Sequence, residues 1–317
     1  MVEVTSGEKF DEKISRECRE LTPDTALAYS IAAIATNMRE YVSQDELLLA
    51  FGDANNAALD AINELIRQKL LVEEKADQLV VRHRYIADRV VDHFKGDGML
   101  AVPLQGLCFA LASKARMCAD RRSRYARFLI KLLNHDMWLR QVGVGAARDA
   151  YAAVEAQLHW DSHFWLHRGA LEVEAGDLRR AENFLNQARG LAPNDPFVET
   201  EWAYLNLKRA AQESAAEGSF ERAEEALGAL DDAIGQRGRI DPYPFHILGR
   251  QGLSWIRRAP MTKEKKIAIL ADMRETLRKG KSWHPYSEQV ATIYDDVEAE
   301  YLGMAVVDRD VPPAPAS

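Results

Sequence analysis

The sequence SHFWLHRGALEVEAGDLRRAENFLNQARGLAPND occupies residues 162–195. Its apolar residues recur at three- and four-residue spacing on both sides of a Gly-Asp turn, which predicts two antiparallel helices. The order of large and small residues matches the 34-residue tetratricopeptide (TPR) pattern. Small residues let the two helices approach closely, and a proline ends the second helix. The residues that carry the pattern are Trp165, Gly169, Ala181, Leu185, Ala188 and Pro193.

Weaker copies of this pattern follow and precede it. Trp202 and Leu207 begin one copy after Pro196, and Phe245 with Gly249 begins another. Residues 125–159 resemble a degenerate first copy, as the end units of a repeat stack often do. We therefore predict an α-solenoid of TPR-like helix hairpins over residues 126–300. The Pro- and Ala-rich residues 301–317 are predicted to be a disordered tail.

Upstream of the repeats, the spacing of the apolar residues changes between helical and strand-like. Thr22-Pro23 is a helix start signal, and three segments of helical spacing follow it. Residues 71–74 and 78–81 read as a short β-hairpin, after which helical spacing returns. This order predicts a winged-helix-like domain at residues 24–95, preceded by a helical remnant at residues 1–23. Residues 96–125 are predicted to be linker helices, so the fold class is mainly α.

Composition excludes several classes of protein. The chain has 317 residues, of which 47% are hydrophobic, and a net charge of −8. It contains no apolar run long enough to span a membrane, and its charged N-terminus is not a signal peptide. Three scattered cysteines predict free thiols in the cytoplasm. General nucleic-acid binding is not expected, because that function needs clustered basic residues on an overall basic surface.

A winged helix that leads into Arg82-His83 and helical repeats resembles the C-terminal half of STAND NTPases, signal-transduction ATPases related to NLR immune receptors and bacterial anti-phage sensors. The resemblance implies a regulatory and sensor module in antiviral defence, with an NTPase domain in cis or in trans. The nucleotide-binding domain itself is missing. Gly280-Lys281-Ser282 is not a P-loop, because Glu275 stands where a glycine is needed.

The resemblance also implies that Arg82 and His83 contact the nucleotide of that NTPase domain. An imidazole at a helix start suits a phosphate, although these residues could equally cap the hairpin and pair with nearby carboxylates. His159, His163 and His167 are spaced by four residues, but an expected turn at residues 160–162 separates the first from the others. We therefore predict no metal site. No catalytic motif and no cofactor motif is present, so an enzyme is not expected.

Two surfaces are candidates for binding a protein partner or ligand. The first is a groove between repeats, for which the candidates are Trp165, Arg168, Trp202 and Tyr204, since aromatic and Arg side chains dominate such contacts. The second is the basic segment with Arg121, Arg122 and Arg124, which could also be an ordinary solvated helix face.

Two alternatives to the sensor module remain: a free-standing TPR adaptor, and a winged-helix DNA-binding regulator with a TPR sensor domain. Residues 24–95 contain eight basic and twelve acidic side chains, which disfavours DNA.

Overall fold

The computed structural model describes residues 10–52, 55–117 and 123–306. These residues form sixteen α-helices and one two-stranded antiparallel sheet. The prediction of a mainly α chain is therefore confirmed. The chain divides into two compact units, residues 1–171 and residues 172–317. None of the described helices combines the length and the apolarity needed to cross a membrane.

Unit 1 (residues 1–171) contains the hairpin and most of the shorter helices. Its elements are α1 (Phe10–Arg19), α2 (Pro23–Asn37), α3 (Gln44–Ala50), α4 (Asn55–Arg67), β1 (Leu71–Lys75), β2 (Gln78–Val81), α5 (Arg84–Gly96), α6 (Ala101–Met117), α7 (Arg124–Leu132), α8 (His135–Gln141), α9 (Gly143–Leu158) and the first ten residues of α10 (Ser162–Ala175).

Helix α2 is the centre of unit 1. The Thr22 side chain accepts a hydrogen bond from the Thr25 N–H, and Pro23 takes the first helical position, as predicted. Most of α2 from Thr25 to Ala35 is buried, because α4, α5, α6 and β2 all pack against it. Its surface is apolar nearly all round, which is typical of a helix enclosed by its neighbours. The predicted capping box at the start of α3, formed by Ser43 and Glu46, is also confirmed.

The predicted β-hairpin is confirmed. Leu71 pairs with Val81 and Val72 with Val80 in antiparallel register. Asp77 in the turn has a φ of 59°, a left-handed conformation that Asp tolerates better than most residues. Val42 forms an isolated antiparallel β-bridge with Leu79 of β2, since its N–H and carbonyl both hydrogen-bond Leu79. Three helices, a hairpin and a closing helix therefore follow one another in the expected order.

The second half of unit 1 differs in part from the expectation. Residues 125–159 form three helices, α7 to α9, instead of one degenerate hairpin. The helical conformation is interrupted at Asn134, whose side chain caps α8, and at Gly143, whose φ is 80°. Helix α6, expected as a linker, packs against α2, α3, α7 and α9.

Unit 2 (residues 172–317) is a stack of helix hairpins. It contains the end of α10, α11 (Leu178–Leu191), α12 (Pro196–Gln212), α13 (Ser219–Arg237), α14 (Tyr243–Arg258), α15 (Lys263–Trp283) and α16 (Glu288–Val306).

The helices of unit 2 alternate between two layers. Helix α12 packs against α13 and α14, and α14 packs against α15 and α16. The first helices of successive hairpins, α12, α14 and α16, therefore neighbour one another, as in a TPR-like solenoid. We call the surface that they form with residues 172–175 of α10 the first-helix face. Asp195 caps α12 and Pro196 occupies its first turn, as the sequence predicted.

Glycine permits the closest approaches between these helices. A β-carbon at Gly249 on α14 would overlap the Ile293 side chain on α16. A β-carbon at Gly252 would lie 2.6 Å from the Met273 methyl group on α15. Helix α14 is therefore seated closely against both neighbours, because it has no side chain at these two points.

Candidate functional site

Two tyrosine–glutamate hydrogen bonds join successive first helices of unit 2. The Tyr204 hydroxyl on α12 donates to Glu174 Oε1 on α10 over 2.6 Å. The Tyr243 hydroxyl on α14 is likewise hydrogen-bonded to Glu201 on α12. Burial first, and the neighbouring carboxylates second, raise the pKa of both phenols. Both tyrosines therefore stay neutral donors near neutral pH, and they hold the first-helix face together from α10 to α14.

Between α14 and α16, the next pair of first helices on this face, lies a groove of about 660 Å³. Arg257 Nη2 pairs with Glu300 Oε2 at 2.6 Å beside it. The groove mixes basic, acidic and apolar side chains, and it is the candidate functional site. The residues that line it are His246, Gly249, Arg250, Leu253, Ser254, Arg257, Arg258, Glu288, Gln289, Thr292, Ile293 and Asp296.

The apolar part of the groove comes from side chains that are themselves well packed. Leu253 and Ile293 are buried, and the absence of a side chain at Gly249 brings the two helices together at Ile293. A rigid apolar surface with polar groups around it is the usual form of a site that binds a peptide or small ligand.

Polar groups in the groove have unused hydrogen-bonding capacity. His246 Nδ1 is buried without a partner among the described residues. Burial first, and the charge of Arg250 second, lower the pKa of His246, so its imidazole is neutral at pH 7. Its ring stacks on Tyr243 at 6.4 Å between centroids. In the described part of the chain, neither Arg250 nor Arg258 forms an ion pair or a hydrogen bond. Both guanidinium groups can therefore bind a ligand.

The residues predicted to form a partner groove lie elsewhere. Trp165, Arg168, Trp202 and Tyr204 are each less than 10% exposed. The Trp165 indole donates to the His159 carbonyl over 2.8 Å, and Arg168 pairs with Glu155 at 2.5 Å. These side chains therefore pack within their own units and leave little surface for a partner, and their part in partner binding stays a prediction. Helical spacing identifies their helix but does not separate a packed ring from an exposed one.

The sequence did contain a signal for the groove that was missed. Arg250, Ser254, Arg257 and Arg258 follow one another at spacings that place them on one side of α14. A polar stripe on a helix whose other residues are buried predicts a surface that faces solvent or a ligand.

The predicted basic docking segment is only partly described. Arg121 and Arg122 lie outside the described residues. Arg124 pairs with the fully buried Glu46 at 2.5 Å, donates to the Tyr41 carbonyl, and lies 3.7 Å above the Tyr41 ring. Its guanidinium is therefore occupied within unit 1, which favours a structural role for this residue. Binding of a partner by the other two arginines stays a prediction.

Arg82 and His83 lie at the junction of β2 and α5. The Arg82 guanidinium pairs with Glu17 at 3.2 Å. His83 is the N-cap of α5, where its Nδ1 accepts a hydrogen bond from the Tyr85 N–H over 3.1 Å. Both contacts fit the alternative in which these residues cap the hairpin and meet a carboxylate. Their contact with a nucleotide stays a prediction.

The histidines with four-residue spacing divide as expected. His159 ends α9, whereas His163 and His167 lie on α10. The His167 ring contacts that of His135 at 5.9 Å. Burial first, and then the neighbouring His135 and His163, lower the pKa of His167 to about 3. Within the described ranges, no group of three or more His, Cys, Asp or Glu side chains has a geometry that could hold a metal ion.

Comparison with known proteins found one distant likeness. No protein-family model and no curated protein matches the chain. Among solved structures, it is similar to a signal transduction ATPase with numerous domains (STAND) protein with a tetratricopeptide repeat sensor from Pyrococcus horikoshii. The identity is 12% and the TM-score 0.38, over 96% of this chain and 47% of that one. The chain therefore spans about half the length of that protein.

Proposed function

We propose that the chain is a non-catalytic regulatory and sensor module, and that unit 2 binds a protein ligand in the groove between α14 and α16. The observation that carries this proposal is the pair of unengaged guanidinium groups, Arg250 and Arg258, beside a closely packed apolar floor. Unsatisfied donors next to apolar surface are what a peptide requires from its site.

The groove suits an extended peptide that carries both polar and apolar groups. Arginine donors bind carboxylate or carbonyl oxygens, while Glu288 and Asp296 on α16 accept N–H groups. An apolar side chain of the peptide would cover Ile293. A peptide bound in this way contacts two neighbouring hairpins. Binding therefore stabilises the relative position of the two hairpins that fits the peptide over other relative positions.

A photo-crosslinking experiment tests the groove. A benzophenone amino acid replaces Ser254 in the groove or, as a control, the exposed Arg179 on α11. We expect a light-dependent adduct with one protein of the host cell from position 254, and its loss when Arg250→Glu is added. Adducts from both positions, or an adduct that persists with Arg250→Glu, would contradict the proposal.

The regulatory half of the proposal concerns residues 24–95. We take this segment as a winged-helix-like domain that presents Arg82 and His83 to a STAND-type NTPase domain, in cis or in trans. The His83 side chain is exposed, and capping of α5 uses only its Nδ1. Nε2 therefore remains available for a phosphate oxygen. Such a module would act in the cytoplasm, and antiviral defence stays the predicted setting.

Two measurements test this half. Gly280-Lys281-Ser282 lies in the last turn of α15 instead of opening a helix, so it cannot hold a phosphate as a P-loop does. We expect the purified chain neither to bind nor to hydrolyse ATP, and turnover that scales with protein after stringent purification would refute this. An in-frame P-loop in the flanking coding sequence would separate the sensor module from a free-standing TPR adaptor.

The alternative of a DNA-binding regulator has less support. Helix α4 would be the recognition helix, and its Arg67 is paired with Glu64 on the same helix at 2.5 Å. A helix that reads DNA needs its basic side chains for phosphates and bases. Tight, salt-sensitive binding of duplex DNA by the chain would restore this alternative.

A further inference from the structure

A second surface of unit 2 carries the two most exposed large hydrophobic side chains in the described part of the chain. Ile240 is 77% exposed and Tyr286 is 98% exposed. Ile240 lies between α13 and α14, and Tyr286 lies between α15 and α16. Both turns lead from a second helix to the next first helix, so they lie at the same edge of the stack. We call residues 236–242 and 279–287 together the turn edge.

The two turns are joined and fixed in place. His284 Nε2 makes a 2.5 Å hydrogen bond with the Gly238 carbonyl. The His284 ring also contacts the buried Phe245 ring edge-on at 6.1 Å between centroids. A β-carbon at Gly238 would lie 3.1 Å from the same Phe245 ring. The backbone below Ile240 and Tyr286 is therefore anchored to the core, although the two side chains themselves are exposed.

Ordered turns hold each exposed residue. The Ile240 N–H donates to the Arg237 carbonyl over 2.8 Å, and the Ser287 N–H donates to the His284 carbonyl over 3.0 Å. A fixed backbone presents an apolar side chain to a partner at a lower entropic cost than a flexible one. One exposed apolar residue needs no explanation, but two on adjoining, anchored turns indicate an interaction surface.

The charge of the turn edge is opposite to that of the chain. It contains four basic residues and one acidic residue, whereas the whole chain has a net charge of −8. One of the four, Lys281, pairs with Asp295 on α16 at 3.1 Å. The acid, Asp241, keeps its negative charge, and its carboxylate accepts the Tyr243 N–H. Arg237 lies 4.0 Å above the Phe197 ring, and Arg239 lies 5.0 Å above the Trp283 ring. Aromatic rings hold these cations without neutralising them, so their charge is available to a partner.

We propose that the turn edge binds an acidic segment of a protein partner that carries apolar side chains for Ile240 and Tyr286. Charge complementarity supports the acidic character of the partner. The exposed isoleucine favours a protein over a nucleic acid, since bases stack on aromatic or guanidinium planes and gain little from an aliphatic side chain. This surface is separate from the groove, whose lining residues do not include any of the turn edge.

Selection of peptides on the purified full chain tests the proposal. Displayed random dodecapeptides are enriched on the chain, and the enriched sequences are synthesised with a fluorescent label for anisotropy measurements. A labelled single-stranded oligonucleotide is measured in parallel. We expect enrichment of sequences that combine Asp or Glu with Leu, Ile, Phe or Tyr, and binding that weakens as salt rises.

Variants then locate the site of binding. Ile240→Ser, Tyr286→Ser and Arg239→Glu should each weaken binding of the selected peptides roughly tenfold or more. The matched controls are Val102→Ser, which is 64% exposed in unit 1, and Arg179→Glu on α11. Neither control should change the affinity, and neither should Arg250→Glu in the groove. All these positions, Arg250 included, are exposed, so unchanged thermal unfolding of each variant checks its fold.

Three outcomes would overturn the proposal. In the first, no acidic and apolar sequences are enriched. In the second, the enriched peptides bind the turn-edge variants as tightly as the parent chain, which would leave the turn edge without a role. In the third, the oligonucleotide binds and loses affinity with Arg239→Glu while the peptides do not. Loss of peptide binding with Arg250→Glu alone would assign the peptides to the groove, which supports the proposed function and removes this inference.

Discussion

Tyr204 and Glu174 are joined by a 2.6 Å hydrogen bond that connects α12 to α10 within unit 2. Tyr204 is 9% exposed, and Lys208 lies 5.4 Å above its ring. Tyr243 and Glu201 repeat the relationship one hairpin further on. A donor on α12 and a donor on α14 thus each meet an acceptor on the preceding first helix.

Removing the Tyr204 hydroxyl should weaken this connection. Tyr204→Phe keeps the ring and loses the hydrogen bond to a charged acceptor, which typically costs about 1–3 kcal/mol of unfolding free energy. Because the pKa of the phenol is raised in the folded state, its contribution is complete below about pH 10 and is lost as pH rises above that value. Urea unfolding at pH 8 and pH 11 measures both effects. A variant as stable as the parent at pH 8 would contradict the prediction.

Gly249 should tolerate no side chain. Gly249→Ala places a methyl group on Ile293, and such overpacking costs about 1–3 kcal/mol even where neighbours adjust. Gly228 in α13 is the matched control, because a β-carbon there meets nothing within 4 Å. Gly228→Ala should raise stability by about 0.5–1 kcal/mol through its higher helix propensity. Thermal unfolding of the two variants should therefore shift in opposite directions, and shifts in the same direction would show the α14–α16 packing to be wrong.

The Arg124–Glu46 ion pair should matter more than any exposed pair in unit 1. Arg124→Leu leaves the Glu46 carboxylate buried without its counter-ion, which costs about 3–5 kcal/mol. Arg67→Leu, which removes the exposed pair with Glu64, should produce no measurable change. Combining Arg124→Leu with Glu46→Gln should recover part of the loss. Equal stability of the two single variants in denaturant titrations would argue against the buried pair.

His167 should make unit 1 sensitive to acid. Its pKa is about 3 in the folded state, below the ordinary value near 6.5, so the unfolded chain binds the proton first. This contribution to stability is complete above pH 6.5, and it falls as pH decreases toward 3 by up to about 1.4 kcal/mol per pH unit. His167→Gln should flatten the decline between pH 6.5 and 4.5 in urea titrations, whereas the exposed His159→Gln should not. Parallel declines for both variants would exclude His167 as the source.

Local signals predicted local structure well. The caps at Thr22, Ser43 and Asp195 lie where the sequence placed them, because each is decided by one side chain and a nearby backbone N–H. The hairpin was predictable from two short strand-like runs on either side of Lys75-Ala76-Asp77. The break at Asn134 was not, since an asparagine between apolar residues is compatible with a helix interior as well as with a cap.

The candidate site could not be predicted from the sequence, because helical residue spacing does not show how the hairpins stack. Trp202 and Arg250 both lie on first helices, yet one is packed beneath Arg189 at 4.1 Å and the other lines the groove. Residues at the same helical period can face a neighbouring helix or solvent, and the outcome depends on how the hairpins stack. Arg124 likewise reads as one of several surface cations until its partner Glu46, 78 residues away, is known.

The unequal links along the first-helix face have a mechanical consequence. Partly buried hydrogen bonds join α10 to α12 and α12 to α14, whereas Arg257 and Glu300 form a solvent-exposed ion pair between α14 and α16. Water and salt compete with the ion pair far more than with the hydrogen bonds. Under a stretching force along unit 2, the α14–α16 step should yield first and the earlier steps should stay stiff. A pulling trace of unit 2 would then begin with a small extension whose force falls as ionic strength rises.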